Sequence, residues 1–435
     1  MSSSQPSAAA HASGPRWLRT SPLSYRNFRW LWTGSVFSYI GQWIQQATLG
    51  WVVYEITGSG ALLGAILGMR AIPMIFLAPL AGVAADRYDR RILLLTSQLL
   101  SALTALALGA ALALHWLQVW HLFMFTLLMG ACNALDRPAR HSTVFELVPR
   151  TLAMKAVALN TIGFSMTRII GPAIAGYLVA WFGAPGNFLV QGGLYLVSCG
   201  LVFLVVFLVV FPARKPRLTA NSAFRDLGEG VKYLFTDKTT RTILTLGLFP
   251  CLLMVPMWGT LFPILAKDVF HTGPEGLGIL LTGVGVGGTI GGFIANALAR
   301  HDHQGRVQFA AIAALCLALL GIAFVPAFWM LVLCAALGGG AEMVHTASNL
   351  SSLQMSAPEE MRGRVSSFIQ LYPAFISIGS LLLGPMSDWI GPRNTAWVLA
   401  LVAGSIALGL FIGSPRARHL RLSHLRGAQE GLGHR

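Results

Sequence analysis

Two titratable side chains lie one helical turn apart within an apolar segment of this chain. They are Glu342 and His345, in the segment 328–350. Because residues three apart share one face of a helix, the carboxylate and the imidazole can interact. A buried carboxylate or imidazole can take up and release a proton. We therefore predict that Glu342, coupled with His345, carries a proton; the alternative is a static hydrogen-bonded pair that locks its helix to its neighbours.

Further polar groups interrupt other apolar segments. Arg70 lies in 61–84 and Arg168 in 156–180. A charge at the centre of a membrane span costs at least ~2.5 kcal/mol, so each arginine needs a partner or a cavity. Both are candidates to hold an anionic substrate, or to neutralise buried acids in structural pairs. Gln42 and Gln46, one turn apart in a polar and aromatic first span, are predicted to line the same substrate cavity.

Motifs for nucleotide or metal chemistry are not supported by their context. Residues 283–288 (GVGVGG) match the dinucleotide fingerprint, but they lie inside an apolar segment without a preceding strand. The sequence contains no P-loop motif, and residues 301–303 (HDH) lack further metal ligands nearby. We therefore expect no enzymatic activity, no cofactor and no metal, and we predict the proton gradient as the energy source.

The segments that carry these residues are long and apolar. Of 435 residues, 55% are hydrophobic and only 11% are charged, and the mean hydropathy is +0.65. A soluble protein would carry about a quarter charged residues. Runs of roughly 20 apolar residues, sufficient to cross a bilayer as a helix, recur along the whole chain. They predict an all-α integral membrane protein with twelve transmembrane helices, at 30–53, 61–84, 92–114, 118–136, 156–180, 188–211, 243–265, 276–298, 307–325, 328–350, 366–388 and 393–413.

The distribution of the net charge of +15 predicts the orientation in the membrane. If both termini are cytoplasmic, 27 of the 31 lysines and arginines lie on the cytoplasmic side and only Lys267 and Arg393 lie outside. This bias follows the positive-inside rule. The basic charge thus indicates topology and contact with anionic membrane lipids, and it does not predict binding to nucleic acid.

An internal repeat predicts two parallel six-helix halves. At an offset of 208 residues, Gly171 matches Gly379 and Gly176 matches Gly384. Because both copies begin on the same side after six spans, the repeats are parallel. The predicted units are a disordered cytoplasmic tail (1–25), the first half (26–211), a cytoplasmic linker with an interfacial helix (212–242), the second half (243–413) and a basic cytoplasmic tail (414–435).

The loop after the second span carries a charged motif, GVAADRYDRR (82–91). This motif resembles the loop signature of the major facilitator superfamily, Gly-x-x-x-Asp-Arg/Lys-x-Gly-Arg-Arg/Lys. The matching residues are Gly82, Asp86, Arg87, Arg90 and Arg91, whereas Asp89 replaces the usual glycine. Segments 26–59, 133–150 and 158–178 are similar to the branch that contains the enterobactin exporter.

The resemblance implies a gating role for this loop. In that superfamily it braces span 2 against span 11 on the cytoplasmic side. Asp86 would face the free N–H groups at the start of span 11, and Arg90 would reach Asp136 at the inner end of span 4. The alternative is a loop that only sets topology by its charge. Asp388, near the outer end of span 11, is expected to be interfacial.

Together these features predict a secondary active transporter of the bacterial inner membrane. We expect a monomer that exports small amphipathic molecules, siderophore-like or drug-like, in exchange for protons by alternating access. The alternatives are a proton-coupled nutrient importer, an inner-leaflet lipid flippase or, in a different class, a membrane sensor or scaffold without transport.

Overall fold

The protein is a bundle of long helices in two halves. The computed structural model describes residues 21–77, 80, 89–208, 228, 232, 236–299, 301–358, 361, 365, 368–418 and 420, and all regular structure in these residues is helical. The first half contains α1 (Arg26–Thr57), α2 (Gly60–Leu77), α3 (Arg90–Ala113), α4 (Val119–Leu147), α5 (153–182) and α6 (184–208). The second half contains α7 (Lys238–Leu253, continued by Met257–Ile264 and a π-helical turn Leu265–Val269), α8 (Gly273–Leu298), α9 (Gln304–Phe324), α10 (Phe328–Ser356), α11 (Tyr372–Ile390) and α12 (Pro392–Gly413).

The membrane fold predicted from the sequence is confirmed. Among the described residues, nine helical stretches are long and apolar enough to span a bilayer, and one of these contains both α5 and α6. With α1 and α11 the arrangement is consistent with twelve spans. The repeat is visible in the helix bounds, because α4 and α10 each have 29 residues and both begin and end 209 residues apart.

Glycine and proline explain where the helices break. The helical run 153–208 is divided at Gly183, whose φ of 66° lies in the left-handed region that glycine adopts without strain. In α2 the backbone forms a turn at residues 69–70, three residues before Pro73. Proline lacks an N–H group and its ring crowds the preceding turn, so the regular hydrogen bond there is lost. This turn carries Arg70.

Three predicted boundaries differ from the structure. The fourth span was expected to end at residue 136, but α4 continues through Pro138 to Leu147. Residues 21–25 were assigned to a disordered tail, but Pro22–Ser24 form a 3₁₀ turn capped by Ser21. The predicted linker 212–242 lies mostly outside the described residues, and α7 begins within it at Lys238, where the Asp237 side chain accepts a hydrogen bond from the Thr240 N–H (2.6 Å).

Among the described residues, the hydrophobic core joins the halves mainly at one end of the bundle. At the end where α1 and α11 terminate, here called the sealed end, one cluster contains Tyr54 and Leu63 of the first half and Leu265 and Leu383 of the second. At the opposite end, the split end, the described residues form a separate cluster in each half. Phe28, Leu94 and Leu147 belong to the first of these clusters, and Leu244, Leu353 and Leu371 belong to the second. Apart from a small α2–α11 contact at Met74 and Ala374, the two cores are therefore divided toward the split end.

Glycines allow the close approach of the halves. A Cβ atom on Gly64 of α2 would lie 2.2 Å from the Ser380 carbonyl of α11, and one on Gly384 would lie 2.2 Å from the Gly60 carbonyl. In the same way, Gly176 of α5 faces Gly278 of α8. Small residues permit such backbone contacts between membrane helices. The α2–α11 and α5–α8 pairs thus hold the halves together.

Candidate functional site

An ion pair joins the two halves at mid-depth. The Arg168 Nη2 atom of α5 lies 3.6 Å from the Glu342 Oε2 atom of α10. The Trp258 indole donates a hydrogen bond to the same oxygen (2.8 Å). The side chains of Arg168 and Glu342 are 16% and 17% exposed. Because the pair lies between the halves, this exposure indicates an accessible space there.

The glycines of α8 explain why Arg168 can reach across. A Cβ on Gly285 would lie 2.6 Å from the Arg168 carbonyl, and one on Gly288 would lie 3.2 Å from its Nη1 atom. The Thr282 hydroxyl donates to the Ile169 carbonyl at 3.1 Å. Consecutive small residues on α8 therefore bring the α5 backbone and the guanidinium against the second half.

An aromatic wall adjoins the ion pair. The Arg168 guanidinium lies 5.9 Å from the ring centre of Trp43 in α1, within the range of a cation–π contact. Phe164 packs 5.5 Å from Trp43 and 5.3 Å from Tyr39, between ring centroids. All four side chains are partly exposed. The wall formed by Tyr39, Trp43 and Phe164 can therefore contact an apolar or ring-bearing molecule.

The structure gives Glu342 and His345 different partners. His345 is 3% exposed, and its Nε2 atom lies 3.1 Å from the Leu246 carbonyl of α7. A carbonyl oxygen only accepts hydrogen bonds, so this nitrogen carries the proton. Glu342 pairs with Arg168 and Trp258 instead. The shared proton role of Glu342 and His345 remains a prediction.

The first half contains a buried charged network that sequence reasoning missed. The Arg140 guanidinium donates to both oxygens of Asp136 (2.8 and 2.9 Å) and to the Ser35 hydroxyl (2.8 Å). Gln98 donates to the same carboxylate (2.8 Å). Because residue 136 was taken as the end of the span, Arg140 was assigned to a loop. Its spacing of four residues from Asp136 was the available signal.

The second half has a neutral counterpart of this network. Gln308 and Asn349 stand 210 and 209 residues after Gln98 and Arg140. The Asn349 amide donates to Gln308 (3.1 Å) and to the Ile243 carbonyl (2.7 Å), and it accepts from the Tyr372 hydroxyl (3.1 Å). A polar network therefore occurs at the same place in both halves, charged in the first half and neutral in the second.

Most of the predicted gating motif lies outside the described residues. This applies to Gly82, Asp86 and Arg87. Arg90 and Arg91 form the first turn of α3, but their side chains are not among those described. The gating role of the loop stays a prediction.

The predicted cavity residues fall on partly exposed positions. Gln42 and Gln46 are partly exposed on α1, whereas Gln45 between them is fully buried. Arg70 is partly exposed on α2 and lacks a hydrogen-bond or ion-pair partner for its guanidinium in the described part of the chain. Their contact with a substrate remains a prediction.

Polar contacts close the sealed end. Asp388 accepts hydrogen bonds from the Gly60 N–H (2.7 Å), the Ala61 N–H (2.9 Å) and the Ser59 hydroxyl (3.0 Å). It thereby satisfies free N–H groups at the start of α2, a role that the sequence did not reveal. The Tyr54 hydroxyl of α1 also donates to Asp268 of α7.

A bundle of two parallel helical repeats, with a charged cluster between the halves at mid-depth, is the architecture of a secondary transporter. The sequence matches the transmembrane secretion effector family over residues 18–425, and the chain belongs to this family of the major facilitator superfamily. The resemblance seen in the sequence is thereby confirmed.

Similar proteins cover nearly the whole chain. The staphyloferrin A transporter of Staphylococcus aureus is 25% identical over 86% of this chain and 92% of its own length. The multidrug efflux pump Tap of Mycolicibacterium fortuitum is 27% identical over 88% and 94%, respectively. The fold is similar to that of a bacterial homologue of the human lysosomal transporter Spinster, with a TM-score of 0.73 over 94% of this chain and 98% of that one. At 12% identity the latter likeness concerns the fold alone.

Proposed function

We propose that the protein is a proton-coupled exporter of small amphipathic molecules that works by alternating access in a bacterial inner membrane. Export is supported by the multidrug efflux pump among the relatives, and a small-molecule cargo is supported by this pump and by the staphyloferrin A transporter. The bacterial inner membrane is supported by the bacterial origin of these relatives. Small amphipathic cargo is supported by the aromatic wall beside charged groups.

The charge distribution supports a cytoplasmic location of both termini and of the split end. In this orientation the sealed end faces the outside, and the described hydrophobic cores of the two halves separate toward the cytoplasm. An exporter in this state is ready to take up its cargo. The reverse movement would divide the core at the sealed end and join it at the split end.

The observation that carries the proposal is the ion pair between Arg168 and Glu342, because it belongs to both halves. A proton on Glu342 removes the negative charge that holds Arg168. When the halves separate at the sealed end, Glu342 would leave Arg168 and receive a proton from outside. On return, Arg168 would again favour the carboxylate, and the proton would leave to the cytoplasm. Protonation and movement of the halves are thus linked at a single contact.

Glu342→Gln tests this role. In proteoliposomes with an imposed pH gradient, we expect the variant to lose gradient-driven transport of a screened substrate and to retain substrate exchange without a gradient. Gln preserves the shape and an acceptor for Trp258, but it cannot ionise. The matched control is Glu55→Gln, which changes an exposed carboxyl group at the end of α1. Undiminished gradient-driven transport by Glu342→Gln would contradict proton coupling through this residue.

A further inference from the structure

Two arginines of the first half lie on the neighbouring helices α2 and α4 and have no counter-ion among the described residues. Arg70 is on the turn in α2, and Arg137 is on α4, three residues before Arg140. A Cβ atom on Gly130 of α4 would lie 3.6 Å from the Arg70 Cγ atom, and Arg137 follows Gly130 by seven residues on the same face of α4. Arg137 is exposed and Arg70 partly exposed, and neither guanidinium has a hydrogen-bond or ion-pair partner in the part of the chain that the structure describes. Two neighbouring cations at mid-bundle create a site for an anion.

Two acids in the described interior of the bundle are already engaged by other arginines. Asp136 is held by Arg140 through both carboxylate oxygens. Glu342 is held by Arg168 and Trp258. The phenols of Tyr39 and Tyr195 are neutral at physiological pH and supply no counter-charge. Arg168, the other arginine that the sequence predicted to hold an anionic substrate, is therefore neutralised by Glu342. Among the described residues of this region, the unpaired positive charge belongs to Arg70 and Arg137.

The arginine pair adjoins the aromatic wall. Arg140, one turn after Arg137 on α4, is hydrogen-bonded to Ser35, one turn before Tyr39 on the antiparallel helix α1. Arg137 therefore lies near Tyr39, whose ring packs edge-on against Phe164. Phe164 in turn contacts Trp43. An anionic head bound by the two guanidinium groups would thus have an apolar surface beside it for the rest of the molecule. Guanidinium groups bind carboxylate, sulfonate and phosphate oxygens through paired N–H donors.

We propose that Arg70 and Arg137 form an anion subsite, and that the substrates are organic anions whose apolar or aromatic body lies along Tyr39, Phe164 and Trp43. The inference rests on the proposed transport function, because it names the class of substrate. It requires only that the ligand binds, and it is independent of proton coupling.

A pair of probes that differ in one charge tests the subsite. The anionic probe is 1-anilinonaphthalene-8-sulfonate, and the neutral probe is N-phenyl-1-naphthylamine, which has the same rings without the sulfonate. Binding is measured on the full chain in phosphatidylcholine nanodiscs, with empty nanodiscs subtracted. We expect the protein to prefer the sulfonate at least tenfold. Arg70→Gln and Arg137→Gln should each weaken its binding about tenfold, and the double variant should lose the preference.

The controls separate loss of charge from loss of fold. Arg306→Gln removes an exposed cation of the second half and should leave the preference unchanged. Arg137→Lys should partly restore the binding that Arg137→Gln loses. Each variant is required to keep a wild-type unfolding temperature. Sulfonate binding of wild-type strength in the folded double variant would overturn the proposal, and so would equal binding of both probes to the wild type.

Two further measurements identify the source of the anion and test the anion subsite separately from proton coupling. If phosphatidylglycerol in the nanodisc competes with the sulfonate in the wild type, the natural head group belongs to a lipid; without competition, the ligand is a soluble anion. Glu342→Gln should retain the preference for the sulfonate. If Glu342→Gln keeps both gradient-driven transport and the preference for the sulfonate, proton coupling through Glu342 is refuted and the anion subsite is not. If the arginine variants bind the sulfonate as the wild type does, the anion subsite is refuted and proton coupling is not.

Discussion

Replacing Asp388 by alanine should open the sealed end of the transporter. Its carboxylate crosses from α11 to α2, where it accepts hydrogen bonds from the backbone N–H groups of Gly60 and Ala61 and from Ser59. The contact exists only while the halves meet at this end. Its loss should therefore destabilise the sealed state relative to the state in which this end is open.

The size of the effect follows from the lost contacts. Removing a helix cap costs about 1 kcal/mol. Removing a negative charge from a helix N-terminus adds about 0.3–1 kcal/mol. The Ser59 hydroxyl still accepts from the Leu62 N–H, which keeps the total at about 1–2 kcal/mol. This corresponds to a roughly five- to thirtyfold shift of the equilibrium between the two states. Asp388→Asn keeps an acceptor oxygen without the charge and should shift this equilibrium less than Asp388→Ala does.

Spin labels at exposed positions of the same end can measure the shift. Trp116 follows α3 and is 72% exposed, and Trp329 lies in the first turn of α10 and is 68% exposed. Both positions are changed to cysteine and spin-labelled, with the five native cysteines replaced. The distance between the two labels, measured by pulsed electron paramagnetic resonance, reports the separation of the halves at this end. Asp388→Ala should increase the population with long distances. The control Glu55→Ala removes a carboxylate at the same end that makes no hydrogen bond or ion pair with the second half among the described residues.

An Asp388→Ala distance distribution identical to that of the labelled parent would refute the latch role. The same shift in Glu55→Ala would show that the general loss of negative charge, and not the contact with α2, is responsible.

Two further predictions concern stability. Arg140→Gln leaves Asp136 buried without its ion-pair partner and should lower the free energy of unfolding by about 3–5 kcal/mol. In a thermal unfolding assay, the double variant with Asp136→Asn should recover much of this loss. Gly287→Ala would place a Cβ 1.7 Å from the Ala336 carbonyl and should sharply reduce the yield of folded protein. The control is Gly409→Ala, where the added Cβ meets open space, and it should be neutral or stabilising by up to about 1 kcal/mol.

The sequence was sufficient for the fold because the relevant signals are local or repeated. Length and apolar composition predicted each span, and the glycine repeat predicted two halves. The common 209-residue offset of α4 and α10 is a physical consequence of that repeat. The end of α4 was missed because a charge was taken as a sign of an exposed loop. Arg140 is instead compatible with a buried helix, because its charge is neutralised one turn away.

The candidate site was only partly predictable, because its contacts depend on how distant helices cross. Sequence reasoning identified Arg168 and Glu342 separately, as a cavity residue and a proton carrier. It paired Glu342 with His345 because these residues are neighbours on one helix. The link to Arg168 requires the α5–α8 contact at Gly285 and Gly288, and no local pattern encodes this arrangement. The same limit applies to Asp388, whose partners are about 330 residues earlier in the chain.

The placement of the strong and weak contacts explains which parts of the molecule would move. Within the first half, Asp136 and Arg140 form a nearly buried, bidentate pair. In the second half, neutral hydrogen bonds join Asn349 of α10 to three other helices. Breaking such interior contacts leaves buried polar groups unpaired, which is costly. Arg168 and Glu342 are instead 3.6 Å apart and partly exposed, so water can replace each partner as the halves separate. Each half is therefore expected to move as a rigid body, and the breakable contacts are concentrated between them.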